Sequence, residues 1–306
     1  MITALAQMVL LIICGVLWKF LAPVHISPLA HRRALTDLVF YILLPALVLD
    51  VIWRAPLDSS SLQISFLATC GLIIGMLAMW LILRFLKASK KQTGTLLLAA
   101  TFPNATYLGL PVLDQVLGPH TRSIVLQYDL FACTPILLSL GMLLAQYYGD
   151  NKTAVHPLRE LIKVAPLWAV ALGIMLNITG IKQPEILHSA LSILAGGVIP
   201  LMLIVLGMSM RWQSFHLHFA RLLLPVVFIS LILVPLAVLG ISNIIGLSEG
   251  LTIPVVLIAA MPTMVFGIVI CERYQLDSEL YAAAVSLTTL MALISLPIWF
   301  QLLSAS

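Results

Sequence analysis

The chain has 306 residues, of which 61% are hydrophobic and only 9% are charged, and its formal net charge is +4. A soluble domain carries about 25% charged residues, so this composition excludes a protein that covers itself with a polar surface. The bases are scattered along the chain rather than clustered on one face, which argues against a nucleic-acid partner. The sequence therefore predicts an all-α polytopic membrane protein surrounded by the lipid bilayer.

Apolar runs predict ten transmembrane helices, because about 20 apolar residues are needed to cross a bilayer. In chain order the predicted spans are 2–21, 34–53, 62–85, 94–117, 124–147, 162–179, 187–210, 220–241, 251–272 and 280–303. The connectors are short, so no soluble domain is expected. Residues 1–18 contain no Lys or Arg, which favours a retained first span over a signal peptide.

The placement of Lys and Arg predicts the orientation, because cytoplasmic loops carry an excess of these residues. Alternate ends of the spans divide the sixteen bases into sets of thirteen and three. The larger set is Lys19, Arg32, Arg33, Arg84, Lys87, Lys90, Lys91, Lys152, Arg159, Lys163, Arg211, Arg221 and Arg273, and the smaller set is Arg54, Arg122 and Lys182. The thirteen are expected to be cytoplasmic, which places both termini outside.

An odd number of spans in each half predicts two five-helix units of opposite orientation, residues 1–155 and 156–306. Prolines recur in register between the two halves: Pro45 in span 2 corresponds to Pro200 in span 7, and Pro103 in span 4 corresponds to Pro262 in span 9. In this register, Thr288 of span 10 corresponds to Asp129 of span 5. The pattern indicates a 5+5 inverted repeat.

Spans 4 and 9 are interrupted by similar short segments, Thr-Phe-Pro-Asn at 101–104 and Ala-Met-Pro-Thr at 260–263. Proline removes a backbone donor and opens a helix. In lipid, opened backbone persists only where protein or a watery cavity satisfies it. Because the two spans run antiparallel and both breaks fall near the bilayer centre, helices 4 and 9 are predicted to cross at the midplane. Such a crossing is typical of the binding site of a secondary transporter.

Each proline is suited to the first position of a new half-helix, whose free N–H groups and positive dipole end would then face the crossing. Thr101, Asn104 and Thr263 add neutral hydrogen-bonding groups there. Because no Lys or Arg lies in the middle third of any span, an anion, in particular a carboxylate, would be held by dipoles and amides. The alternative is that the prolines are only kinks packed against their neighbours.

Asp129 follows Gln127 and Tyr128 inside span 5, with no base within one helical turn. Acids inside membrane spans are costly and usually functional. Asp129 is therefore a candidate for substrate or coupling-ion handling, by H⁺ or Na⁺, and the alternative is a structural bond to a neighbouring helix. The substrate-binding candidates are Thr101, Pro103, Asn104, Gln127, Asp129, Pro262 and Thr263. No cofactor and no metal site are expected.

Three parts of the chain resemble motifs of the auxin efflux carrier family: AATFPNATYLGLP at 99–111, FYILLPAL at 40–47, and residues 259–263 with 272–274. The resemblance extends over essentially the whole chain and is nearest to bacterial malate and malonate permease-like members. The cores of plant PIN carriers are similar, but those carriers have a long central cytoplasmic loop that residues 148–161 do not provide.

The resemblance implies a scaffold and a transport domain, an elevator-type movement, and a small organic anion as cargo. It also implies a bacterial cytoplasmic (inner) membrane and substrate contact by Asn104. Family members often carry a second asparagine after the span-9 proline, where this chain reads Thr263-Met264-Val265-Phe266-Gly267. That departure makes this half of the site less polar and is compatible with a more apolar or aromatic acid.

Other classes of protein are less compatible with the sequence. A membrane-embedded enzyme would need a metal triad or a nucleophile with its base, and the spans show neither motif. A channel would need a charged ring along its pore, and a sensor would need a signalling domain. We therefore expect a carrier and not an enzyme, and homodimerisation through lipid-facing helices stays open.

Overall fold

The computed structural model describes residues 2–21, 27–55, 57–150, 156–209 and 219–305. Regular structure in these residues is helical, apart from one isolated β-bridge between Pro103 and Thr263. Two of the bases used to predict the orientation, Lys152 and Arg211, lie outside the described residues.

The first half of the chain contains α1 (Ile2–Leu21), α2 (Pro28–Arg54), α3 (Ser59–Leu83), α4 (Lys90–Thr101), a π-helical turn (Ala105–Gly109), α5 (Leu110–Val116) and α6 (Thr121–Tyr148). The second half contains α7 (Pro157–Ile162), α8 (Ala165–Ile178), α9 (Glu185–Ser209), α10 (Ala220–Ile244), α11 (Glu249–Ala259), α12 (Gly267–Tyr274) and α13 (Ser278–Ala305).

Among the described residues, six helices are long and apolar enough to cross a membrane, namely α2, α3, α6, α9, α10 and α13. Shorter apolar helices are found at Ala6–Leu21, Ala165–Ile178 and Glu249–Ala259. Large apolar side chains also face outward, such as Phe85, which is 88% exposed, and Ile186, which is 86% exposed. Exposed apolar surface on this scale marks contact with lipid. The prediction of an all-helical polytopic membrane protein is therefore confirmed.

Three of the long helices contain a wide π-helical turn immediately before a proline. These turns are Val39–Leu43 in α2, Asp129–Cys133 in α6 and Ile229–Leu233 in α10, and they precede Pro45, Pro135 and Pro235. Proline lacks an N–H and clashes with the carbonyl group four residues before it. A wider turn removes that clash without breaking the helix, and π turns of this kind are frequent at functional sites. The local sequence thus places Asp129 and Ser230 in irregular turns.

The helices pack in two groups. In the first group α1 packs along α9, and α2 packs along α8 and α9. In the second group α3 packs on α4 and α10, α10 packs on α11 and α13, and α12 packs on α13. α1 and α9 approach each other closely at Gly15 and Gly207, where a β-carbon on either residue would overlap a carbonyl group of the opposite helix. Glycine allows such close packing in membranes.

Candidate functional site

Both predicted helix breaks are present, and the second is longer than expected. α4 ends at Thr101 and helical structure resumes at Ala105, while α11 ends at Ala259 and α12 begins at Gly267. Pro103 and Pro262 lie in non-helical backbone between these helices. The prediction that each proline starts a new half-helix is therefore wrong, because the residues around the prolines pair with each other instead.

The two breaks pair as a short antiparallel bridge. The Asn104 amide donates to the carbonyl oxygen of Pro262 (2.7 Å), and the Met264 amide donates to the carbonyl oxygen of Phe102 (3.0 Å). Pro103 stands opposite Thr263 in this bridge. Pro103 and Thr263 form a non-hydrogen-bonded pair, because the flanking residues exchange the two hydrogen bonds, so the bridge needs no N–H from Pro103.

Thr263 joins the bridge to two other helices. Its amide donates to the Thr288 hydroxyl of α13 (3.1 Å), and its own hydroxyl donates to the Ala99 carbonyl oxygen of α4 (2.8 Å). Thr263 is fully buried. Protein groups therefore satisfy part of the opened backbone, as required of a helix broken inside a membrane.

Asp129 is buried beside the first break and accepts two side-chain hydrogen bonds. The donors are the hydroxyl of Thr106, just after the break, and the hydroxyl of Thr134 (3.3 Å) in its own helix. A structural bond to a neighbouring segment is therefore present, as one interpretation of Asp129 proposed. Neither threonine is predicted as a partner from the sequence, although Thr106 belongs to the motif at 99–111.

The breaks border a cavity that we call the crossing cavity, which encloses about 670 Å³ when its open mouth is counted. Three predicted site residues line it: Pro103, Asn104 and Asp129. The other lining residues are Phe40, Leu44, Ala105, Thr106, Tyr107, Leu130, Thr134, Leu137, Leu138, Val164, Pro166, Met264, Val265 and Phe266. The predicted residues thus meet in a cavity that is otherwise largely apolar.

Two N-terminal helix turns border the crossing cavity. After the first break, the first helical hydrogen bond is donated by the Leu108 amide, so the backbone amides of residues 105–107 have no helical acceptor. After the second break, α12 starts directly after Phe266. The Asn104 side chain is 2% exposed, and its amide nitrogen has no hydrogen-bond partner within the described residues. Free amides at helix starts favour an anion.

The other predicted site residues lie elsewhere. Thr101 lines a smaller cavity, which is also lined by Pro103. The bridge contains Pro262 and Thr263, which are not among the described residues that line the crossing cavity. Gln127 borders a third cavity beside α2, and its amide donates to the Ser123 hydroxyl (2.8 Å). The structure therefore separates Gln127 from Asp129, although the two are near neighbours in sequence.

A second opening adjoins the crossing cavity. This opening is a separate cavity that contains Arg32 and Arg33. It shares three lining residues with the crossing cavity, namely Tyr107, Val265 and Phe266. These arginines belong to the end of the molecule that is predicted to be cytoplasmic. Among the described residues, no group of three or more His, Cys, Asp and Glu side chains is arranged to hold a metal ion.

Paired helix breaks beside a cavity, inside an apolar helical body, define the class of membrane transporters. The chain belongs to the membrane transport protein family, whose model matches residues 1–300. This is the family that the sequence motifs resemble, that of the auxin efflux carriers.

Relatives agree with that class. The chain is 29% identical over 270 residues to an uncharacterized transporter of Methanothermobacter thermautotrophicus, covering 87% of each chain. It is 25% identical to an uncharacterized transporter of Methanocaldococcus jannaschii, covering 88% of this chain and 89% of the relative. It is 23% identical to the uncharacterized transporter YfdV of Escherichia coli K12, covering 71% and 70%.

Proposed function

We propose that the protein is a secondary transporter of a small organic anion, and that the anion is a monocarboxylate with an apolar body. The observation that carries this proposal is the crossing cavity, where two helix N-termini meet the side-chain amide of Asn104, whose nitrogen has no hydrogen-bond partner among the described residues. No Lys or Arg is among the described residues that line it. The carboxylate would therefore be held by dipoles and amides.

Such binding is moderate in strength. A helix terminus contributes about 0.3–1 kcal/mol to an exposed charge and up to about 2 kcal/mol in a partly buried site. Hydrogen bonds to a charged group add about 1.5–3 kcal/mol each. Moderate affinity suits a carrier, because a carrier must release its cargo on the other side of the membrane.

The lining of the cavity favours one carboxylate over two. Beyond Asn104, Asp129 and the threonines, the described walls are aliphatic and aromatic, including Phe40, Tyr107 and Phe266. A second carboxylate in that apolar part would lose its hydration without gaining a partner. An aliphatic or aromatic body would bury its apolar surface there instead.

Asp129 is the candidate coupling residue in this proposal. An ionised Asp129 would repel a carboxylate in the same cavity, by about 4 kcal/mol at 4 Å for an effective dielectric constant of 20. A proton on Asp129 removes that repulsion. Anion and proton would then bind together, which is the basis of proton-coupled transport.

The proposed architecture is a ten-helix body made of two inverted repeats, residues 1–155 and 156–306, with spans 4 (94–117) and 9 (251–272) broken and crossing at the midplane. Asp129 and Thr288 correspond in this register, and each accepts a hydrogen bond from the region of a helix break, from the Thr106 hydroxyl and from the Thr263 backbone amide. The two groups of packed helices suit a scaffold and a moving domain of an elevator. The proposed location is a bacterial inner membrane with periplasmic termini.

Thermal unfolding of the purified protein in detergent tests the proposal. Indole-3-acetate, pyruvate, malate and malonate are compared at equal concentration, and a ligand stabilises the protein by RT ln(1 + [L]/Kd). We expect a monocarboxylate to raise the unfolding midpoint more than either dicarboxylate. Asn104→Ala should abolish the shift, while the exposed control Asn243→Ala should keep it.

Two outcomes would contradict the proposal. A shift that survives Asn104→Ala would place the site outside the crossing cavity. The absence of a shift with any organic acid, for a protein that unfolds cooperatively, would argue against an organic anion as the cargo.

A further inference from the structure

The smaller cavity beside Thr101, which we call the small cavity, lies on the other side of the break from the proposed substrate. Pro103 lines both cavities. Its other lining residues include Thr101, Tyr128, Ser230 and Ala259. The small cavity encloses about 250 Å³ when its open mouth is counted, as for the crossing cavity, and it has room for about one water-sized guest.

Two hydroxyl groups in the small cavity need a partner. Thr101 is 5% exposed and Ser230 is 7% exposed, and neither hydroxyl oxygen has a hydrogen-bond partner among the described residues. Leaving a buried polar group unsatisfied is costly. A bound guest with affinity for oxygen would remove that penalty for both hydroxyls at once.

The helix ends around the small cavity determine the charge of that guest. α4 ends at Thr101 and α11 ends at Ala259, and both residues line the cavity. The C-terminal end of a helix carries partial negative charge, so two such ends favour a cation. The crossing cavity has the opposite polarity, since it is bordered by helix N-termini.

We propose that the small cavity binds one dehydrated monovalent cation such as Na⁺. The hydroxyl oxygens of Thr101 and Ser230 and the C-terminal ends of α4 and α11 would provide its oxygen ligands. Hard cations prefer oxygen ligands. No carboxylate is among the lining residues that the structure describes, and neutral ligands alone would not offset the dehydration of a divalent ion.

This inference rests on the proposed function, because the cation would act on the anion site through the break. The positive charge of the cation in the small cavity would lie on one side of Pro103 and would favour an anion in the crossing cavity on the other side. Half-helix C-termini and N-termini divide cation and anion in this way in other transporters with broken helices. We expect Na⁺ to increase the affinity for the organic acid.

The test compares sodium chloride with choline chloride at equal ionic strength, using purified protein without organic acid. We expect Na⁺ to raise the unfolding midpoint in a saturable way, as a ligand of the folded state does. Thr101→Val and Ser230→Ala should each weaken Na⁺ binding by about tenfold, since each removes one oxygen partner.

Matched controls are Thr289→Val and Ser286→Ala. Their hydroxyls are also buried and have no partner within the described residues, but they do not line the small cavity. Both controls should keep the Na⁺ shift. An equal shift in choline, or a Na⁺ shift that survives both cavity substitutions, would overturn the inference and leave a water molecule as the guest.

Direct binding of radioactive Na⁺ to the unaltered protein keeps the test independent of how the variants fold. No saturable binding would overturn the cation site. An organic acid that binds equally well in sodium and choline would remove the link to transport but leave the proposed function intact. If no acid binds in either salt, the proposed function fails while the Na⁺ result stands on its own.

Discussion

The backbone nitrogen of Asn104 lies 2.7 Å from the carbonyl oxygen of Pro262, to which it donates a hydrogen bond. Asn104 thus bonds through its backbone to the other half of the chain and also lines the crossing cavity. The bridge fixes the position of Asn104 relative to the second break. Substitutions that weaken the bridge should therefore affect stability and ligand binding together.

Thr288→Val tests the support of the bridge. The Thr288 hydroxyl accepts the hydrogen bond from the Thr263 amide (3.1 Å), and valine would leave that buried amide without a partner. We expect a loss of about 1–3 kcal/mol of stability, measured as a lower midpoint of thermal unfolding. Thr289→Val is the control, because its hydroxyl has no partner among the described residues, and it should be neutral or stabilising. Equal losses in the two variants would show that the bond to Thr263 is not the cause.

Asp129→Asn tests the coupling residue. Asparagine keeps the shape of the side chain and an oxygen that can accept the bond from Thr106, but it cannot carry a proton on and off the site. We expect transport in liposomes to lose most of its dependence on pH. Asp114→Asn is the control, since Asp114 pairs with Arg122 outside the crossing cavity, and it should keep that dependence. Full pH dependence in Asp129→Asn would exclude the proton role.

The sequence was sufficient to predict the broken helices, because proline has a strong and local effect on the backbone. It was not sufficient to predict how far each break extends. The residues around Pro103 and Pro262 satisfy one another across more than 150 positions of sequence. Pairing at that distance leaves no local signal in either segment.

The separation of Gln127 from Asp129 has a simple geometric cause. Residues two positions apart on a helix point in directions about 200° apart, so the two side chains face different cavities. Helical periodicity was therefore a usable signal for excluding Gln127. Thr106 and Thr134 were harder to predict, because a threonine inside a helix often bonds its own backbone.

Gly207→Ala tests the close packing of α1 and α9. A β-carbon at Gly207 would overlap the carbonyl group of Ile12, so we expect overpacking to reduce stability by about 1–3 kcal/mol. Gly240→Ala is the matched control, because a β-carbon there meets no described atom within 4 Å. Replacing that helical glycine should be neutral or stabilising by up to about 1 kcal/mol. The measurement is the midpoint of thermal unfolding in detergent, which should fall in Gly207→Ala and stay or rise in Gly240→Ala. A higher midpoint in Gly207→Ala would contradict the close packing.

Glu160→Gln tests an ion pair that joins α7 to α12. The Arg273 guanidinium donates to both carboxylate oxygens of Glu160 (3.1 and 3.3 Å), and these bonds, with one from Lys163, lower the pKa of the Glu160 carboxyl. The folded state therefore binds this proton less tightly than the unfolded state, whose carboxyl has a pKa of about 4.3. The stabilisation is complete above that pH and is lost as the pH falls through the lowered value. We expect Glu160→Gln to lower the unfolding midpoint at neutral pH and to reduce its decline in acid, whereas the exposed control Glu249→Gln should leave both unchanged. If the unfolding midpoint of Glu160→Gln falls as steeply with decreasing pH as that of the unaltered protein, other carboxyl groups cause the loss of stability in acid.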